Sequence, residues 1–137
     1  MKVITRFVQG HHFIGSDEKN VQTHFDSRSD GFPAGTTPVA AILQAMAACS
    51  AIDVVDILNK KRKTVTNLVI ETDGERAEEH PRVFTKAHLH FKLTSPDAEI
   101  KDLERSIELS QDKYCSVSAM FSRSGCALSW SAEVVRE

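Results

Sequence analysis

Two cysteines in different settings are the residues of this chain best suited to chemistry. Cys49 lies in an almost wholly apolar stretch over residues 38–58, whereas Cys115 follows the polar run Gln-Asp-Lys-Tyr. A thiol reacts as its thiolate, and apolar surroundings alone raise its pKa. Composition alone therefore favours a packing role for Cys49 and makes Cys115 the more exposed thiol. Two thiols on two different helices could instead form a redox pair.

The remaining candidate ligands and nucleophiles fit structural or solvent-exposed roles better than chemical ones. Cys126 opens a strand, where packing is expected, and the chain has no Cys-x-x-Cys motif. His88 and His90 alternate with lysines on one strand face; alternate strand residues can chelate a metal, but the pattern favours a solvated face. His11 and His12 could supply a cation near neutral pH, although an exposed loop is favoured. The sequence predicts no metal site and no bound cofactor.

The composition is that of a soluble globular protein. The chain has 137 residues, of which 41% are apolar and 26% charged, and this length suits one domain over residues 1–137. Its net charge of −2 and its pI of about 6.3 argue against partners that need a basic surface, namely nucleic acid and anionic membranes. Three cysteines are too few for a secreted disulfide framework.

Two segments bear on where the protein resides. The first residues, Met-Lys-Val-Ile-Thr-Arg-Phe, contain no long apolar run, so no signal peptide is expected. Residues 38–58 are long enough to raise the question of a membrane span, but Gln44, Asp53 and Asp56 interrupt them and the two carboxylates make insertion costly. We therefore predict a buried helix of a soluble protein, in a reducing cytoplasm.

The N-terminal half predicts short strands followed by one long helix. Residues 2–9 mix β-branched and aromatic side chains, residues 21–26 suggest a further strand, and residues 27–35 form a glycine-rich loop. Thr37 and Pro38 form a helix start, as the N-cap and a first-turn proline. The helix is apolar on nearly all sides, so it should be covered all round.

Two strands are predicted after this helix. Residues 65–72 form the first, and residues 74–82 form a polar turn. Residues 86–94 then alternate strictly between apolar and polar side chains, which indicates a half-buried strand. Its apolar face comprises Ala87, Leu89, Phe91 and Leu93.

A second helix and a last strand complete the prediction. Ser95 and Pro96 begin the helix, and Gly125 ends it. Its apolar stripe comprises Ile100, Leu103, Ile107, Tyr114, Val117 and Phe121. Residues 127–135 alternate as a last strand. The order of elements predicts an α+β domain with an antiparallel sheet covering the helices.

Both cysteines lie in recognisable sequence motifs. Thr37-Pro38 begins an Ala- and Leu-rich helix that ends Ala-Ala-Cys-Ser-Ala-Ile-Asp-Val-Val over residues 47–55, and Lys-Tyr-Cys-Ser-Val occupies residues 113–117. These segments resemble the first and second cysteine motifs of the OsmC/Ohr superfamily, the osmotically inducible and organic hydroperoxide resistance proteins. Residues 75–91 are similar to its less characterised OsmC-like subgroup. The paired motifs at this separation are specific, and the resemblance covers most of the chain.

The resemblance implies a fold, an activity and partners. The implied fold is an intertwined α+β homodimer, with antiparallel sheets wrapped round two central helices and an active site at the dimer interface. The implied activity is thiol-dependent reduction of an organic hydroperoxide in oxidative-stress defence. By the resemblance, Cys49 is the catalytic thiol that becomes a sulfenic acid, and Cys115 resolves it as a disulfide. A dithiol or small-thiol reductant then regenerates both cysteines.

Two features of the peroxidase members have no counterpart in this chain. They place a glutamate nine or ten residues before the first cysteine, where this chain has Ala40 and Val39. They also use an N-terminal arginine, and the corresponding residues 10–13 contain none. The candidate replacements are Arg6, His11, His12 and Arg28. Two alternatives therefore stay open: a non-catalytic redox-sensing or small-ligand-binding dimer, and a structural dimer whose cysteines only pack.

Overall fold

The computed structural model describes residues 1–137, and its contacts divide the chain into two compact units. The N-terminal unit is Met1–Ile42 and the C-terminal unit is Leu43–Glu137. A π-helical turn over Ser110–Tyr114 precedes the third helix. The other elements, in chain order, are β1 (Ile4–Gln9), β2 (His12–Ser16), β3 (Gln22–Phe25), α1 (Pro38–Lys60), β4 (Asn67–Arg76), β5 (Phe84–Thr94), α2 (Ile100–Leu109), α3 (Ser116–Arg123) and β6 (Ala127–Val135). This mixture confirms the α+β class.

Strands β1, β2 and β3 form an antiparallel sheet in the N-terminal unit. Phe7 and Phe13 face each other across the first pair, with ring centroids 5.6 Å apart. The buried carboxylate of Asp26 organises the loop that follows β3, accepting hydrogen bonds of 3.0 Å from the N–H groups of Arg28 and Ala34. The bond from Ala34 is the main reason that the pKa of Asp26 lies below its usual range.

Helix α1 begins where the sequence predicts. Thr37 Oγ1 accepts a hydrogen bond of 3.1 Å from the N–H of Ala40, so Thr37 caps the helix. Side chains buried in the single chain recur every four residues along one stripe, namely Met46, Ser50, Val54 and Leu58. We expected α1 to be buried on all sides, and in a single chain this is wrong. Its other faces are open to solvent, and Ile52 is 62% exposed.

Helix α1 is also the one helix long and apolar enough to cross a membrane, judged by length and composition. A single helix of this kind is weak evidence for a span, because core helices of soluble proteins share both properties. Asp53 lies within it and accepts a hydrogen bond from the hydroxyl of Ser110, so this face of the helix packs against protein.

A three-stranded sheet in the order β4-β5-β6 organises the C-terminal unit. The predicted apolar face of its central strand is confirmed, since Ala87, Leu89, Phe91 and Leu93 are at most 2% exposed. Strand β4 pairs antiparallel with β5, as expected, but β6 pairs with β5 in parallel. The connection from β5 to β6 carries α2 and α3, and a crossover of this length permits parallel pairing.

The core of this unit joins one face of the sheet to the three helices. Met46, Val54 and Leu58 of α1 pack in one cluster with Leu103 and Ile107 of α2. Each is fully buried, and burying a side chain of this size contributes about 1.5–3 kcal/mol. This cluster fixes α1 against the segment that carries Cys115.

Strand β4 runs further than its sequence indicates. It extends to Arg76 through Gly74, although residues 74–82 were expected to form a turn. A Cβ atom at Gly74 would lie 2.7 Å from the ring of Phe84, so the absence of a side chain lets this ring cross the strand. Glycine here permits close packing within a strand and does not mark its end.

The second helical region is broken, where one continuous helix was predicted. Helix α2 begins at Ile100, after Ser95 and Pro96, because Glu99 and Asp102 form a capping box. The π-helical turn ends it, and Cys115 then adopts an extended conformation with φ −76° and ψ 102° before α3 begins. The turn also directs the side chain of Tyr114 towards solvent, where it is 52% exposed. Tyr114 was predicted to belong to the buried apolar stripe, and this is wrong.

Candidate functional site

Cys115 lies at the N-terminus of α3 and not inside a helix. Its Sγ accepts a hydrogen bond of 3.3 Å from the N–H of Ser118, so the thiol itself caps the helix. The same sulfur lies 3.9 Å from the carbonyl oxygen of Met46 on α1, to which its S–H donates. Cys115 is 3% exposed, so the expectation of an exposed thiol is wrong. The break in the helix turns this residue inward.

Cys49 lies on α1, one turn after Met46, and is half-buried. Its thiol lies close enough to that of Cys115 to raise the pKa of Cys115, and both thiols are reduced. The structure therefore brings together the two cysteines that the sequence places in separate motifs. Cys126, by contrast, is buried at the start of β6, where packing was expected. No contact links the Cys126 thiol to this site.

The surroundings of Cys115 work against ionisation of its thiol. Burial raises the pKa of Cys115 above its usual value, and the adjacent Cys49 adds to the increase. The Ser118 hydroxyl and the Ser118 N–H, which donates to the sulfur at 3.3 Å, both oppose this effect in part. The site thus holds a buried thiol that accepts a hydrogen bond from the backbone of Ser118 and lies beside a second thiol.

A chain of polar side chains lies beside the two cysteines, and the sequence did not indicate it; its three serines are buried and its other two members are partly buried. Its members are Asp53, Ser110, Ser50, Gln111 and Ser118, here called the buried serine chain. Four hydrogen bonds of 2.8–3.1 Å join them in that order. One available signal was the four-residue spacing of Met46, Ser50 and Val54, which puts a hydroxyl on the core stripe of α1.

The histidines of β5 form a second chain, on the exposed face of the sheet. Its members are Ser129, His88, Ser131, His90 and Glu133, here called the histidine chain. Four contacts of 2.6–3.1 Å join them in that order. The histidines lie on the predicted outer face of β5, between lysines, and they also form hydrogen bonds to side chains of β6. No group of three or more His, Cys, Asp or Glu side chains is arranged to hold a metal ion.

Most candidate replacements for the family arginine line one cavity of the N-terminal unit. His11, His12 and Arg28 surround a space of about 590 Å³ together with Asp26. The Nε of Arg28 donates to the carbonyl oxygen of Asp30 at 2.9 Å, so this guanidinium is partly engaged within its own loop. Arg6 lies on β1, opposite Ile14, and does not line this cavity.

Comparison with known proteins now decides the family. The family model described as OsmC-like protein matches residues 29–131, which include both cysteines. The chain belongs to the OsmC-like family. Protein YhfA of Escherichia coli strain K12 is 38% identical over 124 residues, which cover 90% of each chain.

Solved structures share the fold of this OsmC-like chain. A hypothetical protein from Aquifex aeolicus VF5 is 29% identical with a TM-score of 0.88, covering 99% of this chain and 96% of that one. An organic hydroperoxide resistance protein OsmC from Legionella pneumophila is 13% identical with a TM-score of 0.67, covering 98% of each chain. The second likeness shows a shared fold.

Proposed function

We propose that this OsmC-like protein is a thiol-dependent organic hydroperoxide reductase of the cytoplasm. In the proposal, residues 1–137 act as one OsmC-like domain within a homodimer. The observation that carries it is the contact between the Cys49 and Cys115 side chains inside the C-terminal unit. The hydroperoxide is chosen as substrate because the Legionella protein of the same fold is an organic hydroperoxide resistance protein.

The proposed cycle balances with these two thiols and an external reductant. The Cys49 thiolate attacks one peroxide oxygen, the O–O bond breaks, and the alcohol leaves with a proton while Cys49 becomes a sulfenic acid. The sulfur of Cys115 then attacks that of Cys49, the S–O bond breaks, and water leaves. A dithiol reduces the resulting disulfide by thiol exchange and is itself oxidised. The contact between the two side chains supports the second step without a large movement.

The exposed apolar side chains support the proposed homodimer. In the N-terminal unit Ile4 and Phe7 are 57% and 65% exposed, and in the C-terminal unit Ile52 and Met120 are 62% and 67% exposed. Apolar surface of this kind commonly marks an interface, and most soluble oligomers are symmetric homodimers. We expect light scattering to give twice the mass of one chain, and a strictly monomeric protein would contradict this part of the proposal.

A redox sensor without turnover is the second candidate function. The raised pKa of Cys115 favours it, because a protonated thiol attacks a sulfenic acid slowly. Val39 and Ala40 favour it too, since neither offers a carboxylate near the start of α1. A protein of this kind would be oxidised by peroxide and would remain oxidised when a dithiol is supplied.

The test is consumption of an organic hydroperoxide by the purified protein in the presence of dihydrolipoamide. We expect multiple turnovers, none with Cys49→Ser, and sulfenic acid without an internal disulfide in Cys115→Ser. Cys126→Ser is the matched control, because it removes a buried thiol away from the pair. Wild-type consumption no faster than Cys49→Ser, across several alkyl peroxides and dithiols, ends the reductase proposal. Oxidation that no dithiol reverses supports the sensor.

A further inference from the structure

The buried serine chain has only one consistent arrangement of its protons. A carboxylate only accepts hydrogen bonds, so the 2.8 Å bond between Ser110 and Asp53 uses the single hydroxyl proton of Ser110. Ser50 must then donate to Ser110 across 2.9 Å, which uses the hydroxyl proton of Ser50. The oxygen of Ser50 is left as an acceptor for the Nε2 of Gln111 at 3.1 Å.

This order also fixes the side-chain amide of Gln111. If the amide oxygen of Gln111 faced Ser50, it would accept the one hydroxyl proton of Ser50. No proton would then remain for the bond between Ser50 and Ser110. The amide nitrogen therefore donates to Ser50 and, with its second hydrogen, to the oxygen of Ser118 at 3.1 Å. Because Ser118 accepts from Gln111, its own hydroxyl proton stays free for another acceptor. The sulfur of Cys115 is close by, since the N–H of the same serine donates to it at 3.3 Å and Ser118 lowers the pKa of that thiol.

We propose that the buried serine chain is a positioning device that turns the Ser118 hydroxyl towards Cys115 and holds it there as a donor to the thiolate. Gln111 and Ser118 are then positioning residues for the resolving step, and Asp53 sets the direction of the chain. The inference rests on the proposed function for its purpose, since a resolving thiol must ionise to attack the sulfenic acid of Cys49. The order of donors and acceptors from Asp53 to Ser118 depends only on the geometry described above.

The burial of the chain is what makes this orientation durable. Ser50 and Ser110 are fully buried and Ser118 is 1% exposed, so water does not compete for their protons. The chain also ties together the segments that carry the two cysteines, because Ser50 follows Cys49 on α1 and Ser118 belongs to α3. The groups that face the Cys115 sulfur are the Cys49 thiol, the Met46 carbonyl and the two donors of Ser118.

The test is the ionisation of Cys115 followed by ultraviolet thiolate absorbance, in a protein carrying Cys49→Ser and Cys126→Ser. Cys115 is the remaining thiol of this protein, and adding Tyr114→Phe removes the overlapping phenolate absorbance of its one tyrosine. We expect Ser118→Ala to raise the midpoint by about one pKa unit or more, because it removes a donor to a charged group. Ser106→Ala is the matched control, since Ser106 is equally buried but donates to the carbonyl of Asp102. Equal midpoints in these two variants overturn the proposal.

Gln111→Glu tests whether the chain orients Ser118. A carboxylate at this position accepts the Ser118 proton and diverts it from the sulfur, so the midpoint should rise. The new charge would also raise it directly, so the variant is made with and without Ser118→Ala. We expect a smaller rise when Ser118→Ala is already present, because one part of the effect acts through the missing hydroxyl. A full and additive rise shows that charge alone acts and overturns the role of Gln111.

A kinetic measurement links the device to the reaction. After one equivalent of organic hydroperoxide, Ser118→Ala should form the Cys49 sulfenic acid at the wild-type rate and convert it to disulfide about tenfold more slowly near neutral pH. Ser118→Thr keeps a hydroxyl and should restore the conversion if it folds, as checked by circular dichroism. Unchanged conversion in Ser118→Ala overturns the proposal. If the wild type does not react with peroxide, the reductase proposal fails while the absorbance titration still decides the inference.

Discussion

The buried serine chain and the histidine chain are both runs of hydrogen-bonded side chains, the first beside the core and the second on the exposed face of the sheet. Each has five side chains, each links serine hydroxyls to a side-chain nitrogen group, and each has a carboxylate at one end. Ser110 is fully buried, whereas the side chains of His90 and Glu133 are 33% and 48% exposed. Solvent access is therefore the main difference between two otherwise similar chains.

The second difference is how many proton arrangements each chain allows. Serine hydroxyls and one amide, anchored on Asp53, allow a single direction. With neutral imidazoles, His90 donates to Glu133 and accepts from Ser131, but a protonated His90 donates on both sides. Protonation of His90 thus reverses its bond with Ser131, whereas the interior chain has no member that reverses in this way. Buried hydroxyls and an amide with fixed donors therefore have one arrangement of protons, whereas exposed imidazoles allow more than one.

Ser50→Ala should break this comparison most strongly. It leaves the buried oxygen of Ser110 without its donor and a partly buried N–H of Gln111 without its acceptor. An unsatisfied buried polar group costs about 1–3 kcal/mol, so we expect a loss of that order in the free energy of unfolding. Urea denaturation measures it, with Ser131→Ala as the control from the exposed chain. A loss no greater than that of Ser131→Ala would show that burial does not separate the two chains.

A second prediction concerns stability at alkaline pH. Burial raises the pKa of folded Cys115, whereas the unfolded thiol ionises near about 8.5. The unfolded state therefore loses its proton first, so stability is full below about pH 8.5 and falls as pH rises towards the folded pKa. We expect Cys115→Ser to weaken this decline in urea titrations across the alkaline range. Cys126 has a pKa raised by burial as well, so some decline should remain. An unchanged slope in Cys115→Ser contradicts the assignment.

The sequence predicted the elements whose signal is local. Alternation over residues 86–94 gave the buried face of β5, because a strand presents every second side chain to one side. Thr37 and Pro38 indicated the start of α1, because helix capping also depends only on residues close together in the sequence. The motif resemblance also predicted that Cys49 and Cys115 act as a catalytic pair; the two thiols lie close together, and their catalytic role stays a prediction.

The features that the sequence did not predict depend on distant partners or on register. A π-helical turn inserts an extra residue, so the three- and four-residue spacing from Ile100 to Phe121 hides the break that turns Tyr114 out and Cys115 in. Ser50 and Ser110 are 60 residues apart, so no local pattern joins them. The parallel pairing of β6 is equally non-local, because it depends on how α2 and α3 return the chain to the sheet.

Ser131→Ala should have a smaller effect than any change in the interior chain. It removes the hydroxyl that bridges His88 and His90, at 2.9 Å and 2.6 Å. Water can take its place on the half-exposed sheet face, so we expect a loss of about 0.5–1 kcal/mol, near the lower end for a hydrogen bond. Urea denaturation checks this value. A loss above that of Ser50→Ala would mean that the two imidazoles depend on this bridge more than the core depends on its serines.

Glu133→Gln should have the smallest effect and should show how weakly the exposed chain is anchored. The pair between Glu133 and the Nε2 of His90 is 3.1 Å long, and both side chains reach solvent. Exposed ion pairs contribute about 0–1 kcal/mol and are screened by salt. We expect a loss below about 0.5 kcal/mol at low ionic strength and none in molar salt, measured by thermal denaturation at both concentrations. A salt-independent loss would instead place this carboxylate in the same class as Asp53, which is bonded to the fully buried hydroxyl of Ser110.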